Sequence, residues 1–258
     1  MPLIDGPDCA LWVESRGRGE PVSVFAHGIT GSTFDLEPLA ARTPGTRVLF
    51  DQRGHGRSAV PGELGTAAMA QDLDFVAARY GAARAFGLSA GAGAILSLLE
   101  KDPDRFERVV LMLPASIDRA ERAGAYPALA TLLEQHALDD VVGLTIDAPE
   151  YQPLFAVRPA WRAVVAERIR RMNATGVPRA IRAHVDGPPP VSDVARLREV
   201  RARALVIAHR DDPVHDIAVA ERLVDVLPKA ELLVWDEPLG MYDDTDALAD
   251  LIGSFISA

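Results

Sequence analysis

One cysteine, Cys9, stands in a chain of 258 residues. That excludes an intramolecular disulfide framework and any metal site built on a cysteine cluster. Basic excess is absent too: 27 lysines and arginines face 37 acids, for a formal net charge of -10. A sequence-wide attraction to phosphate backbones or anionic membranes is therefore not expected. No apolar run approaches the roughly 18 residues that a membrane span needs. The opening MPLIDGPDCALWVES lacks a basic start followed by an apolar stretch, so it does not read as a secretory signal and a cytoplasmic location is expected. Neither H-E-x-x-H nor G-x-x-x-x-G-K-[ST] occurs, and no cofactor is expected. Internal repeats are missing as well. What remains is an ordinary globular composition, 48% hydrophobic and 25% charged, long enough for one sizeable domain with an inserted subdomain.

Short β-like runs alternate with amphipathic helical segments. This pattern predicts an α/β fold with a mostly parallel sheet flanked by helices. The expected strands are Leu11–Glu14, Val22–Ala26, Val48–Asp51, Ala85–Leu88, Val109–Leu113, Leu205–His209 and Leu232–Trp235. Helical spacing appears in Thr66–Tyr80, where Met69, Leu73, Val76 and Tyr80 share a face, and in Ile217–Leu227. It returns at Leu248, Leu251, Ile252 and Phe255, after an acidic, cap-like Asp-Asp-Thr-Asp stretch. From Ala115 to Pro190 the alternation breaks: helical patterns continue without a strand, ending in Gly187-Pro188-Pro189-Pro190. Residues 1–114 and 191–258 are thus expected to form the core, and 115–190 a helical cap whose return hinge is the proline run.

Three segments carry chemistry. Gly87-Leu88-Ser89-Ala90-Gly91 follows a strand and opens a helix, the setting of a G-x-S-x-G nucleophile elbow. A sharp turn there strains the serine, keeps its neighbours small and presents the hydroxyl beside the helix N-terminus. Phe25-Ala26-His27-Gly28-Ile29-Thr30-Gly31-Ser32 also follows a strand, where a loop N–H can face the oxygen of a tetrahedral intermediate. His27 reads as a histidine of this turn more than as a base, with His27 and Gly28 bordering the substrate. Asp51-Gln52-Arg53-Gly54-His55-Gly56-Arg57-Ser58 reads as structural, with Asp51 and Arg53 fixing the loop.

In order and interval these motifs resemble the α/β-hydrolase superfamily over nearly the whole chain. The resemblance implies an α/β-hydrolase fold with a helical cap inserted after the sixth strand. It makes Ser89 the nucleophile and the backbone N–H groups of Ile29 and Ala90 the oxyanion hole. It makes Asp212, with Asp211 as the alternative, the acid that orients the histidine. A small molecule is the implied substrate, with no nucleic acid or membrane partner. Serine in the elbow argues against the branches that use aspartate there.

The departure lies at the base. The family carries its histidine after the last strand, but this chain reads Gly240-Met241 there, and no histidine follows His215. A serine without an adjacent base is a poor nucleophile, and the base is typically worth about 10²–10⁴-fold. Met241 is then a candidate only for the substrate pocket. Among the six histidines, His215 is the leading replacement because it follows Asp212 by three residues; His209, His136 and His184 come behind it. A desolvated Asp243 or Asp244 is a further possibility. Three functions fit: an ester, lactone or thioester hydrolase with an atypical or incomplete triad, a non-hydrolytic lyase or cyclase, or a silent ligand-binding protein. Seven arginines and one acid, Glu167, lie between Arg158 and Arg182. They read as a solvated helix face ahead of a site for an anionic substrate.

Overall fold

The computed structural model describes residues 3–119, 126–210, 212, 214–236 and 244–258. Eight strands form one sheet: β1 (Leu3–Asp5), β2 (Ala10–Gly17), β3 (Val22–Ala26), β4 (Thr46–Phe50), β5 (Arg84–Leu88), β6 (Arg108–Met112), β7 (Arg203–His209) and β8 (Ala230–Trp235). Their spatial order is β1-β2-β4-β3-β5-β6-β7-β8. The pairs β1–β2 and β2–β4 are antiparallel and all others parallel. Every strand expected from the sequence is present. The additional β1 is three residues at the sheet edge, too short to show a periodicity.

Helices α1 (Thr33–Ala40) and α10 (Thr245–Ser257) cover one face; α2 (Thr66–Tyr80), α3 (Ala90–Lys101) and α9 (Ile217–Val226) cover the other. The strand period of two divides the core accordingly. Along β7, Leu205 and Ile207 join Phe25, Phe86 and Ile252 on the first face, while Ala204, Val206 and Ala208 join Leu73, Ile95 and Leu223 on the second. The helix starts follow from local chemistry. Ser32 and Asp35 form a reciprocal capping box at α1, and Asp244 accepts the Ala247 N–H at 2.9 Å at α10. Asp244 is therefore occupied as a cap.

Between β6 and β7 run α4 (Tyr126–Gln135), α5 (Leu138–Asp147), α6 (Gln152–Val157), α7 (Trp161–Arg170) and α8 (Gly176–Val185), with no strand among the described residues. Helix α8 docks on the loop that follows β4. A Cβ on Gly176 would stand 2.0 Å from the Gly54 carbonyl oxygen, Thr66 Oγ1 and His184 Nδ1 lie 3.0 Å apart, and Arg179 donates to the Pro61 carbonyl at 3.0 Å. The insertion thus sits over the C-terminal edge of the sheet. Its return is held by Glu100 at the end of α3. One Glu100 oxygen accepts from Ser192 N, Ser192 Oγ and Asp193 N at 2.6–2.7 Å. The arginines of this region are engaged inside the molecule. Arg168, Arg170, Arg171 and Arg182 pair with Asp35, Asp139, Glu167 and Glu134, and Arg162 lies over Phe155. Trp161, Val165, Ile169 and Met172 turn inward, while Arg162, Arg170 and Arg171 are exposed. Among the described residues no helix is long and apolar enough to cross a membrane.

Candidate active site

Ser89 joins β5 to α3 with φ 52° and ψ -111°, a strained conformation for a side-chain-bearing residue. Its glycine neighbours are sterically required. A Cβ on Gly87 would stand 2.5 Å from Gly91 backbone atoms, and one on Gly91 would stand 2.3 Å from the Ala26 carbonyl oxygen. The turn consequently lifts Ser89 onto the C-terminal edge of the sheet at the first turn of α3, where helix N–H groups lack intrahelical acceptors.

His215 reaches that hydroxyl from the loop after β7: His215 Nε2 lies 3.0 Å from Ser89 Oγ, across 126 residues of sequence. Its other nitrogen, Nδ1, lies 2.9 Å from Asp212 Oδ2. The carboxylate accepts a hydrogen bond from Nδ1–H, which leaves the Nε2 lone pair to accept one from the serine hydroxyl. Asp212 is itself held, because Oδ1 accepts the Val214 and His215 N–H groups at 2.8 and 3.0 Å. Burial alone would raise the Asp212 pKa; the His215 hydrogen bond and charge, with the two backbone N–H groups, outweigh it and hold the carboxyl below its ordinary range. The side chains of His215 and Asp212 are only 14% and 13% exposed, so both work largely out of water.

None of the other histidines is placed at the serine. His209 is buried at the end of β7 with Nδ1 against the Arg210 carbonyl; His184 meets Thr66, and His136 is exposed. His27 is fully buried, with Nδ1 donating to the Gly28 carbonyl at 2.8 Å and Nε2 accepting the Gln52 N–H at 2.9 Å. Both its ring nitrogens are therefore used inside the turn, which leaves neither free to bond a substrate. Gly28 does border the site, since a Cβ there would meet Ser89 Cβ at 3.4 Å. Ile29 and Ala90 are both buried at this edge, each 2% exposed. Met241, Asp211 and Asp243 lie outside the described residues.

The loop after β4 supports the segment that follows β3 from below. Asp51 accepts Thr33 N–H at 2.7 Å and Arg57 N–H at 2.9 Å. Arg53, fully buried, forks onto Asp72 at 2.6 and 2.7 Å. His55 packs edge-on to His27 with ring centroids 5.1 Å apart. The sequence pattern marks this stretch as structural but does not reveal that His55 reaches the carbonyl of Ile29, at 2.6 Å. The signal was the glycine on each side of His55, which lets the turn fold inward.

No group of three or more potential metal ligands is found among the described residues. A cavity of about 520 Å³ lies at the opposite, N-terminal edge of the strands. Arg84, Arg108 and Arg203 line it in a single register row. Arg84 and Arg108 donate to the last carbonyls of α10, a structural use of that charge.

An elbow serine, a histidine and aspartate in hydrogen-bonded series, and a doubly wound sheet beneath them define the hydrolase class of this architecture. The sequence profile of the alpha/beta hydrolase family matches residues 24–251, and the chain belongs to that family. A protein of Agrobacterium fabrum named "Putative carbamate hydrolase RutD" is 28% identical over 242 residues, covering 86% of this chain and 88% of its own. Among solved structures, the enol-lactonase from Burkholderia xenovorans LB400 superposes with a TM-score of 0.81 at 18% identity, covering all of both chains. An esterase from Exiguobacterium antarcticum does so with 0.79 at 19% identity, over 99% of both. These two likenesses concern the fold.

Proposed function

We propose that the chain is a serine hydrolase that cleaves an ester, lactone or thioester of a small molecule, with Ser89 as nucleophile, His215 as general base and acid, and Asp212 as its orienting carboxylate. The observation that carries this reading is the 3.0 Å contact between Ser89 Oγ and His215 Nε2, backed by Asp212 at 2.9 Å. In the first step Ser89 Oγ attacks the carbonyl carbon while its proton passes to His215 Nε2. The resulting oxyanion lies against the N–H groups of Ile29 and Ala90. Collapse expels the alcohol or thiol, which takes the proton from His215, and leaves an acyl-Ser89. Water then attacks the acyl carbon, giving its proton to His215, and the serine leaves with that proton. For a lactone both products are one hydroxy acid.

The triad keeps the order serine, acid, histidine but is atypical in placement: base and acid share one short loop after β7 instead of sitting after different strands. Residues 115–190 would serve as the cap that closes over the acyl group. The names of the relatives, a carbamate hydrolase, an enol-lactonase and an esterase, support acyl chemistry and add carbamates to the substrates worth testing. The alternatives of a silent or non-hydrolytic protein drew on the methionine at 241, and His215 beside Ser89 weakens that argument.

Time-resolved intact-mass measurements with p-nitrophenyl esters, lactones, thioesters and carbamates test the reading. Turnover in the wild type and its loss in Ser89→Ala are expected. An acyl adduct that persists would mean that His215 does not activate water. Neither adduct nor turnover with any substrate would overturn the proposal.

A further inference from the structure

Resting on that reading, the loop Gly28–Ile29–Thr30 shows more than one donor. The Gly28 carbonyl accepts from His27 Nδ1 at 2.8 Å and from the Gly31 N–H at 2.9 Å. The next carbonyl, Ile29, faces His55 Nε2 at 2.6 Å. Both peptides are trans, and in a trans peptide the N–H points opposite to the C=O. Two successive carbonyls drawn toward buried histidines therefore turn two successive N–H groups, those of Ile29 and Thr30, the other way. Such a pair forms an anion-binding concavity. Ile29 and Thr30 are 2% and 7% exposed, yet among the described residues neither N–H has an acceptor. Backbone donors need an acceptor, and neither of these two finds one within the loop, so both are free to serve an acceptor at the Ser89 edge. The loop passes against Ser89, since a Cβ on Gly28 would lie 3.4 Å from the serine Cβ.

We infer that the Thr30 N–H is a third oxyanion donor beside those of Ile29 and Ala90, and that His55 is the positioning residue that aims it. A neutral imidazole has one N–H for the two carbonyls that His55 faces, Ile29 at 2.6 Å and Arg53 at 2.8 Å. In the proposed arrangement Nε2–H donates to Ile29, the nearer carbonyl. Burial and the neighbouring His27 keep the ring neutral, with its pKa near about 4. His55 does not touch substrate; it acts by fixing the Ile29–Thr30 peptide plane.

Two isosteres separate this role from simple packing. A glutamine amide places its N–H near the Nε2 position, and an asparagine places its own near Nδ1. His55→Asn should lower kcat by roughly 10- to 100-fold with little change in KM, and His55→Gln should recover most of it. Equal losses in both variants, or full activity in His55→Asn, would overturn the proposal. Amide ¹H–¹⁵N spectra of the phenylboronic acid adduct supply the second readout. The Thr30 and Ile29 amide protons should both move downfield when Ser89 carries the tetrahedral boronate, and Thr30 should cease to do so in His55→Asn. If the adduct forms and Thr30 does not respond, the third donor is refuted while the hydrolase reading stands. A wild type that neither adds phenylboronic acid nor turns over any ester, lactone, thioester or carbamate would overturn the hydrolase reading, and this proposal with it.

Discussion

At the scale of single residues, the site depends on which nitrogen of His215 carries its proton. Asp212 Oδ2 holds Nδ1–H, and the lone pair on Nε2 faces Ser89. Asp212→Asn would keep Oδ1 as acceptor for Val214 and His215 N–H but turn an amide N–H toward Nδ1, forcing the opposite tautomer. The expected result is a fall in kcat of roughly 10³–10⁴-fold with KM and thermal midpoint little changed. His215→Gln removes the base outright and should cost roughly 10⁴-fold or more. Steady-state kinetics on the best ester found, together with thermal melts, checks both. Equal activity of wild type and His215→Gln would remove His215 from the mechanism. These residues were partly legible in the sequence. Ser89 announced itself through its glycines, because their spacing is a backbone requirement. His215 gave a weaker signal, since a histidine three residues after an aspartate looks like any helix-start residue until the turn is folded.

At the scale of elements, Glu100 links α3 to the chain returning from the insertion. Burial would raise its pKa, but the Ser192 hydroxyl and the N–H groups of Asp193 and Ser192 outweigh that and hold the carboxylate below its ordinary range. The proline run Pro188–Pro190 ends just before these contacts, so a stiff segment is moored at its far end. Glu100→Ala should strand two backbone N–H groups and one hydroxyl and cost about 2–4 kcal/mol. Urea denaturation measures this, and limited proteolysis should show earlier cutting near Gly187. An unchanged urea midpoint would mean that water replaces the carboxylate without loss. The strands were legible because residues buried on both faces leave continuous apolar runs, as in Val109–Val110–Leu111–Met112. The moorings were not, because Glu100 and Ser192 lie 92 residues apart and neither type is distinctive.

For the molecule as a whole, the two buried histidines His27 and His55, packed against the loop after β3, set a pH dependence of stability. His55 falls from an ordinary 6.5 to about 4 through burial first and His27 second, and burial also lowers His27. Below pH 6.5 the unfolded chain binds protons that the native ring refuses. Stability should therefore fall as pH drops from about 6.5 to 4, by up to about 3 kcal/mol for His55 alone. Below that window the depressed carboxylates Asp212 and Glu100 withdraw their own contribution as they protonate. Denaturant midpoints between pH 7.5 and 4.5 test the sign, and His55→Gln should flatten the slope in that interval. A midpoint that rises on acidification would contradict the buried, neutral pair.

The sequence alone determined the alternation of strands and helices, the elbow around Ser89 and the membership of Asp212 and His215 in one loop, because these rest on local spacing and on what glycine permits. Tertiary structure decided whether that histidine meets that serine, which acids Arg168, Arg170, Arg171 and Arg182 meet, and how His27 and His55 hold successive carbonyls of the loop after β3. Those outcomes depend on distances between segments far apart in the chain. A local pattern carries no information about them until the sheet fixes which loops share an edge.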